Sequence, residues 1–468
     1  LQRQFRRMEF QLSQFNRIFF IGIAGTGMSA IAQYLAGSGK SVAGSDRYFV
    51  VGEYNETRQK LEAEGIDCYE QNGEGIDADT DLVVVSTAVE DSVPEVQKAK
   101  SLQIPILKRS ELLALITASK KTIAVGGTSG KSTTSAMLFH ILEVAGLSPS
   151  IISGAGLTNI IQQGKIGNAW VGKGDWLVIE ADESDGSIVQ YHPEIGLLLN
   201  IDKDHQELDE LVSLFQTFRS HTQSRFIVNQ GHALTRTLSV NPEWDFSGDP
   251  HQPAGFTASH FEQEGLEIRF TINQFPFRLF TVGKHNMENA VAAVAVARYL
   301  GVDWEDCADA LETYEGIYRR HQVIGVHKHI ILIDDYGHNP VKCAASIAAC
   351  QPLAPKVVAW FQPHGYGPTR FLKNDFIHEI AQVLRPQDEI WMSEIFYAGG
   401  TAVKDISAND LIVDIQNNGK KASFVEDRKN LVSELKKTIK PGDVLLLMGA
   451  RDPSLEIFCK EVYDALDL

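Results

Sequence analysis

The stretch Ile123–Ser135, reading IAVGGTSGKSTTS, decides how the rest of the chain is read. Its apolar run from Thr122 to Val125 ends in two glycines, and Gly130, Lys131 and Ser132 then open a segment able to start a helix. This is the layout of a phosphate cradle. Small residues let backbone N–H groups close on phosphate oxygens, the lysine adds a point charge, and the following hydroxyl can ligate Mg²⁺. The usual P-loop pattern wants a glycine five residues before Gly130, where this chain has Val125. What remains is a shorter loop, Gly127-Thr128-Ser129-Gly130-Lys131-Ser132-Thr133-Thr134. A plain glycine-rich turn is the competing reading, and the position of GKS between an apolar strand and a helix favours nucleotide phosphate.

Upstream, IFFIGIAGTGMSAIAQYLAGSG reads as strand, glycine turn (Gly22, Gly25, Gly27) and helix, followed by the strand SVAGSD. Asp46 falls nineteen residues after Gly27, where a dinucleotide fold places a ribose-binding acid. The glycine spacing is G-x-x-G-x-G, which does not support a redox dinucleotide; a turn opening a helix favours a diphosphate. Further strands are expected at Leu82–Ser86 and Ile104–Leu107, and a helix at Ser110–Thr117.

Downstream, the strand Trp176–Ile179 ends in four carboxylates, Glu180, Asp182, Glu183 and Asp185, and a second strand, IGLLLNIDKDH, ends in Asp202, Asp204 and His205. Massed carboxylates repel unless a cation sits among them, so two such strand ends beside a phosphate loop point to a divalent metal. A solvated acidic turn is the bland alternative. A strand-rich segment (Gly255–Val282) then leads to a helix from about Met287, with Asn286 and Asn289 near its start as caps or ligand contacts. The pair Arg319 and Arg320 sits where a domain ends, as a solvated hinge or as a reach toward phosphate. Beyond it, the strands IILIDD, KVVAWFQ, DEIWMSE and DVLLLMG alternate with helices and end in polar residues, the place where open α/β sheets gather their binding groups.

A chain of 468 residues holds two or three domains. The predicted fold is α/β with three domains: a Rossmann-like N-terminal domain (17–118), a central P-loop ATPase domain with a mostly parallel sheet (119–318) and a Rossmann-like C-terminal domain (319–468), after a disordered or tag-like start (1–16). The net charge of −17 argues against nucleic acid or anionic membrane as partner. Five scattered cysteines without a CxxC pair suggest reduced thiols in a cytoplasmic setting. No apolar run approaches the roughly 20 residues of a membrane-spanning helix.

Ten collinear motifs then identify the family that the chain resembles. GIAGTGMSAIA, GSD, STAVEDSVPEV, GTSGKSTT, EADESD, NIDKDH, GKHNMENA, YRRHQ, DDYGHNP and FQPH occur in the order found in Mur ligases, and the shortened phosphate loop is the form this family uses. The resemblance implies ATP-dependent amide synthesis: the carboxylate of a UDP-N-acetylmuramate-type nucleotide sugar takes the γ-phosphoryl group, and a free amino acid, with L-alanine first in expectation, displaces phosphate. It implies ATP and Mg²⁺, a monomer or dimer, and no nucleic-acid or membrane partner. Carried over by position, Gly127, Thr128, Ser129, Gly130, Lys131, Ser132 and Thr133 would cradle ATP, with Asn286 and Asn289 at the adenine, Arg320 at the phosphates, and Asp335 and His338 closing the site. Ser132, Glu180 and His205 would hold the metal, and Lys131, Glu180, His205 and Arg320 would carry the chemistry. Gly25, Thr26, Gly27, Met28, Asp46, Ser86 and Thr87 would take the UDP moiety, and His364 and Arg370 the amino acid.

The departures cluster. Ser129 and Ser132 replace a histidine and a threonine of the family pattern with small polar groups, Asn339 stands where a second histidine is common, and the loop DHQELDE is altered. In FQPHGYGPTR two arginines of the usual pattern are Gly365 and Pro368, and Thr401 replaces a glutamate. The nucleotide side is therefore expected to be intact and the acceptor side changed. That leaves open a related ligase with another amino-acid or peptide acceptor, including one that recycles cell-wall peptides, or a nucleotide-binding regulator without turnover.

Overall fold

The computed structural model describes residues 10–86, 89–203, 207–397, 403–450, 452 and 454–466. The expected roles of Thr87, His205 and Thr401 fall outside the described residues, as does the stretch 1–9 of the expected start. From Phe10 the described chain makes a short 3₁₀ turn at Leu12–Gln14 before its first strand.

Runs of Ile, Val and Phe with no polar alternation build sheets buried on both faces, the mark of parallel strands covered by helices. The first sheet is wholly parallel, with spatial order Asp67–Glu70, Ser41–Asp46, Arg17–Ile21, Leu82–Val85, Ile106–Lys108. Its last strand starts two residues later than expected, because Pro105 has no N–H for the ladder and contributes only its carbonyl, which accepts from the Val83 N–H at 2.9 Å. The helix Thr26–Gly37 crosses from the first strand to Ser41–Asp46. The C-terminal ends of Arg17–Ile21, Ser41–Asp46 and Leu82–Val85 thus lie side by side and carry the glycine turn, Asp46 and Ser86.

The second sheet has the order Arg225–Val228, Ile195–Leu198, Lys121–Gly126, Trp176–Ala181, Ser150–Ile152, Ala169–Trp170, parallel except for the last strand. The phosphate-loop strand Lys121–Gly126 is central, and its Ile123, Ala124 and Val125 are fully buried. Register pairs Val125 with Glu180 and Gly126 with Leu198, so the loop leaves the sheet between the two acid-bearing strand ends. These two sheets belong to one compact unit of the chain.

A second unit contains an antiparallel ladder, Phe256–Glu264, Glu267–Ile272 and Phe275–Leu279, and the C-terminal sheet. That sheet has the order Gln322–His327, Ile330–Asp335, Val444–Gly449, Val357–Gln362, Glu389–Met392, Lys421–Phe424, with only the first strand antiparallel. The architecture is the expected three-domain α/β one. The helix expected from about Met287 begins earlier, at Lys284, directly after Gly283, whose φ of +92° ends the preceding loop. Among the described residues no helix is long and apolar enough to cross a membrane.

Candidate active site

The phosphate loop is held by its own chain. Gly130 is the N-cap of the helix Lys131–Val144 with φ +80°, a left-handed conformation that favours glycine. Gly127 has φ +137°, and a Cβ there would lie 3.1 Å from the Leu199 side chain. Asn200, at the end of the neighbouring strand, clamps the loop: its Oδ1 accepts from Thr128 Oγ1 (2.9 Å) and the Ser129 N–H (2.8 Å), and its Nδ2 donates to the Ser129 carbonyl (3.1 Å). The helix N-terminus that follows Gly130 is of the kind that binds phosphate through backbone N–H groups.

Four side chains pair beside it. Lys131 Nζ donates to Glu183 Oε2 at 2.6 Å and to the Gly127 carbonyl at 2.7 Å. Ser132 Oγ donates to Glu180 Oε2 at 2.8 Å. The other Glu180 oxygen accepts from Ser153 Oγ (2.8 Å) and the Gly154 N–H (2.6 Å). Burial alone would lower the Lys131 pKa, but the facing carboxylates of Glu183 and Asp182 outweigh it and hold the ammonium charged, with its pKa above the usual value. Burial pushes Glu183 up while Lys131 pulls it back. Burial also works to raise Asp182, but Lys131 and the Ser184 N–H hold it below the usual carboxylate range.

The donor set fits Mg²⁺. Ser132 Oγ and Glu180 Oε2 are hard oxygen donors brought together in one corner, and Mg²⁺ binds through one or two protein oxygens while keeping waters. Among the described residues no group of three or more His, Cys, Asp or Glu is arranged for a metal.

In the N-terminal sheet, the glycine turn opens the helix Thr26–Gly37 at its N-cap, Gly25. Asp46 does not hang free at a ribose position: its carboxylate accepts from the Ala24 N–H (2.9 Å) and the Tyr48 N–H (3.1 Å), bracing the glycine turn. Asn168, from the central sheet's domain, ties down the same helix start by donating to the Thr26 carbonyl (2.8 Å) and to Ser29 Oγ (3.0 Å). A Cβ on Gly27 would sit 3.1 Å from Arg109, whose guanidinium reaches toward Asp185 at 3.5 Å. Arg109 therefore stands as a cation beside the expected diphosphate loop, together with Gly25, Thr26 and Met28.

The second unit carries the remaining candidates, of which Arg320, His338 and His364 lie in a chain of ring contacts with Tyr336. Arg320 lies over the Tyr336 ring at 5.0 Å, Tyr336 and His338 have ring centroids 5.8 Å apart, and so do His338 and His364. His338 Nδ1 donates to the Tyr336 carbonyl at 3.0 Å; burial, with Lys342 at 3.5 Å from Nε2, holds the ring neutral and its pKa well below the usual value. Asp335 is buried, accepting from the Gly337 N–H (2.8 Å), Ser346 Oγ (2.8 Å) and the His321 N–H (2.9 Å). Asn286 and Asn289 share one face of the Lys284–Tyr299 helix. Asn286 Nδ2 donates to the Val282 carbonyl (2.9 Å), and Asn289 Nδ2 to Asn286 Oδ1 (3.3 Å). Arg370 is half-exposed and paired with Asp405.

Sequence reasoning missed Asn200, Arg109 and Asn168, and did not separate Glu183 from its acidic neighbours. Asn200 had a legible signal, as the residue at the end of a strand that flanks the loop. Arg109 and Asn168 had none, because their partners are distant in sequence.

Known proteins bear on this arrangement. The family model described as the Mur ligase family catalytic domain matches residues 17–121, the Mur ligase middle domain 125–297, and the Mur ligase glutamate ligase domain 319–451. A UDP-N-acetylmuramate–L-alanine ligase from Pelotomaculum thermopropionicum is 33% identical, covering 93% of this chain and 95% of its own length. One from Dictyoglomus turgidum is 35% identical over 93% and 94%. The crystal structure of a UDP-N-acetylmuramate–alanine ligase from Thermotoga maritima superposes with a TM-score of 0.75 at 27% identity, over 96% of this chain and 99% of that one. A murein peptide ligase from Psychrobacter arcticus shares the fold, with a TM-score of 0.65 at 20% identity over 96% and 98%.

Proposed function

The chain belongs to the Mur ligase family, and from that premise we propose that it joins the carboxylate of a UDP-N-acetylmuramate-type nucleotide sugar to the amine of an amino acid, with ATP as phosphoryl donor, in cytoplasmic peptidoglycan precursor synthesis. L-Alanine is the proposed acceptor, in line with the relatives named above. The observation that carries the reading is the pair of contacts at the phosphate loop, Lys131 with Glu183 at 2.6 Å and Ser132 with Glu180 at 2.8 Å.

The reaction needs two anions to meet. A muramyl carboxylate oxygen attacks the γ-phosphorus as the bond to ADP breaks. The amine then attacks the acyl carbon, the bond to phosphate breaks, and the amine gives up a proton. The loop's N–H groups bind the phosphates, and Lys131, kept charged, stabilises the negative charge of the transferring group. Ser132 and Glu180 would hold Mg²⁺, which supplies further charge neutralisation at the phosphoryl oxygens. By its position in the family pattern, Arg320 would supply a second cation. Gly25, Thr26, Gly27 and Met28, with Ser86 at the adjacent strand end, take the UDP diphosphate. The neutral His338 can accept or donate a hydrogen bond without adding charge, and His364 beside it faces the acceptor side.

One observation favours a second reading, in which the acceptor is another amino acid or a peptide. Arg370, the cation expected for the acceptor carboxylate, is already paired with Asp405, and Gly365, with φ +74°, opens the helix that carries it. Phosphate release measured with UDP-N-acetylmuramate, ATP and a panel of amino acids and short peptides separates the two. L-Alanine-dependent release supports the first; release only with a different acceptor supports the second.

A further inference from the structure

The adjacent arginines Arg319 and Arg320 lie in a turn whose backbone is unusual on both sides of Arg320. Arg319 has φ +57° and His321 has φ +47°, left-handed conformations that non-glycine residues rarely adopt. Such conformations persist where the surroundings over-determine them, and they cluster at functional sites.

The surroundings here are two neighbouring carboxylates at the end of the strand Ile330–Asp335. Asp334 takes Arg319 as a fork, from Nε at 2.7 Å and from Nη2 at 3.1 Å, and Nη2 also reaches the Gly449 carbonyl at 3.2 Å. The Arg319 carbonyl accepts from the Tyr336 N–H at 2.8 Å. Asp335 takes the other flank: its Oδ2 accepts from the His321 N–H at 2.9 Å and lies 3.3 Å from His321 Nδ1. The His321 side chain is buried, with the His285 ring 5.0 Å away. Between the two anchored residues, Arg320 makes no ion pair among the described residues and rests on the Tyr336 ring.

We propose that Arg319 and His321 are positioning residues for Arg320: Asp334 and Asp335 hold its two flanking residues in left-handed conformations, and this fixes the direction in which the Arg320 guanidinium leaves the chain. The inference rests on the reading of Arg320 as a phosphate-side cation. It assigns the pair unequal roles, with Arg319 bound inward and Arg320 presented outward.

Steady-state phosphate release by Arg319→Lys, Arg320→Lys and the double variant tests it, with thermal unfolding midpoints measured on each protein. Lysine keeps the charge of Arg319 but loses the fork to Asp334. The expected result is a fall in kcat of about 10-fold or more for Arg319→Lys with the amino-acid KM within about twofold, and a double variant no slower than Arg320→Lys alone. Losses that multiply in the double variant, or an Arg319→Lys enzyme with wild-type kcat, overturn the positioning role. Undiminished turnover by Arg320→Lys removes Arg320 from the site, and the proposal falls with that reading. A second pair separates backbone direction from the imidazole itself. His321→Asn, which tolerates the left-handed conformation, should keep most of the turnover, and His321→Val, which does not, should lose it. Equal activity of these two folded variants contradicts the clamp, and if the valine variant does not fold, the lysine series decides alone.

Discussion

The phosphate loop and the loop proposed for the acceptor are built differently. Residues 127–131 are tied by Asn200 on one side and closed by the Lys131–Glu183 pair on the other, with each glycine serving a stated turn or close approach. Around Gly365 and Arg370, among the described residues, the ties are of another kind: the Gly365 N–H donates to the Phe396 carbonyl at 2.9 Å, a Cβ on Gly367 would meet open space, and the half-exposed Arg370 is bound to Asp405. Phosphoryl transfer is mostly positioning and charge, so its parts gain from being held before substrate arrives. A site that selects one acceptor among many has no such common requirement.

That contrast predicts graded effects. Lys131→Ala strikes the loop clamped by Asn200 and should lower kcat by about 10²- to 10³-fold, as loss of a charge-stabilising group does, while the fold stays intact by circular dichroism. Glu180→Gln removes the negative charge from one of the two converging oxygen donors. It should raise the Mg²⁺ concentration for half-maximal activity by at least the roughly 10-fold that loss of even an outer-shell partner brings. An unchanged Mg²⁺ titration would return Glu180 to a bracing role for Ser153 and Gly154.

The acceptor loop should respond less, and selectively. Arg370→Ala should raise the amino-acid KM by about 10-fold, equivalent to about 1.4 kcal/mol of lost binding, with the ATP KM nearly unchanged. Asp405→Ala is the finest probe of the contrast. Exposed ion pairs are worth about 0.2–1 kcal/mol, so freeing Arg370 should lower the amino-acid KM only a few-fold. A rise instead would mean that Asp405 itself meets the acceptor.

What the sequence disclosed follows the same division. The phosphate loop, Glu180 and the strand end carrying Asn200 were legible because consecutive motif residues map onto neighbouring strand ends of one parallel sheet. Within EADESD, however, four carboxylates compete for one lysine, and only the fold shows that Glu183 lies nearest while Glu180 turns to Ser132. Arg319 and Arg320 are indistinguishable as letters; burial against Asp334 separates them. Asp46 fits a ribose position by spacing, yet its carboxylate is engaged by the Ala24 N–H, a contact that depends on how tightly the glycine turn closes. The acceptor remained unreadable because the arginines of the family pattern are missing at Gly365 and Pro368, and an absence names no replacement.

The most direct test of the account is phosphate release by the purified protein with ATP, Mg²⁺ and UDP-N-acetylmuramate, with and without L-alanine, set beside Lys131→Ala. The account predicts release that depends on the nucleotide sugar and an amino acid together and that the variant nearly abolishes. Wild-type-like release by folded Lys131→Ala, or release indifferent to the nucleotide sugar, would contradict it.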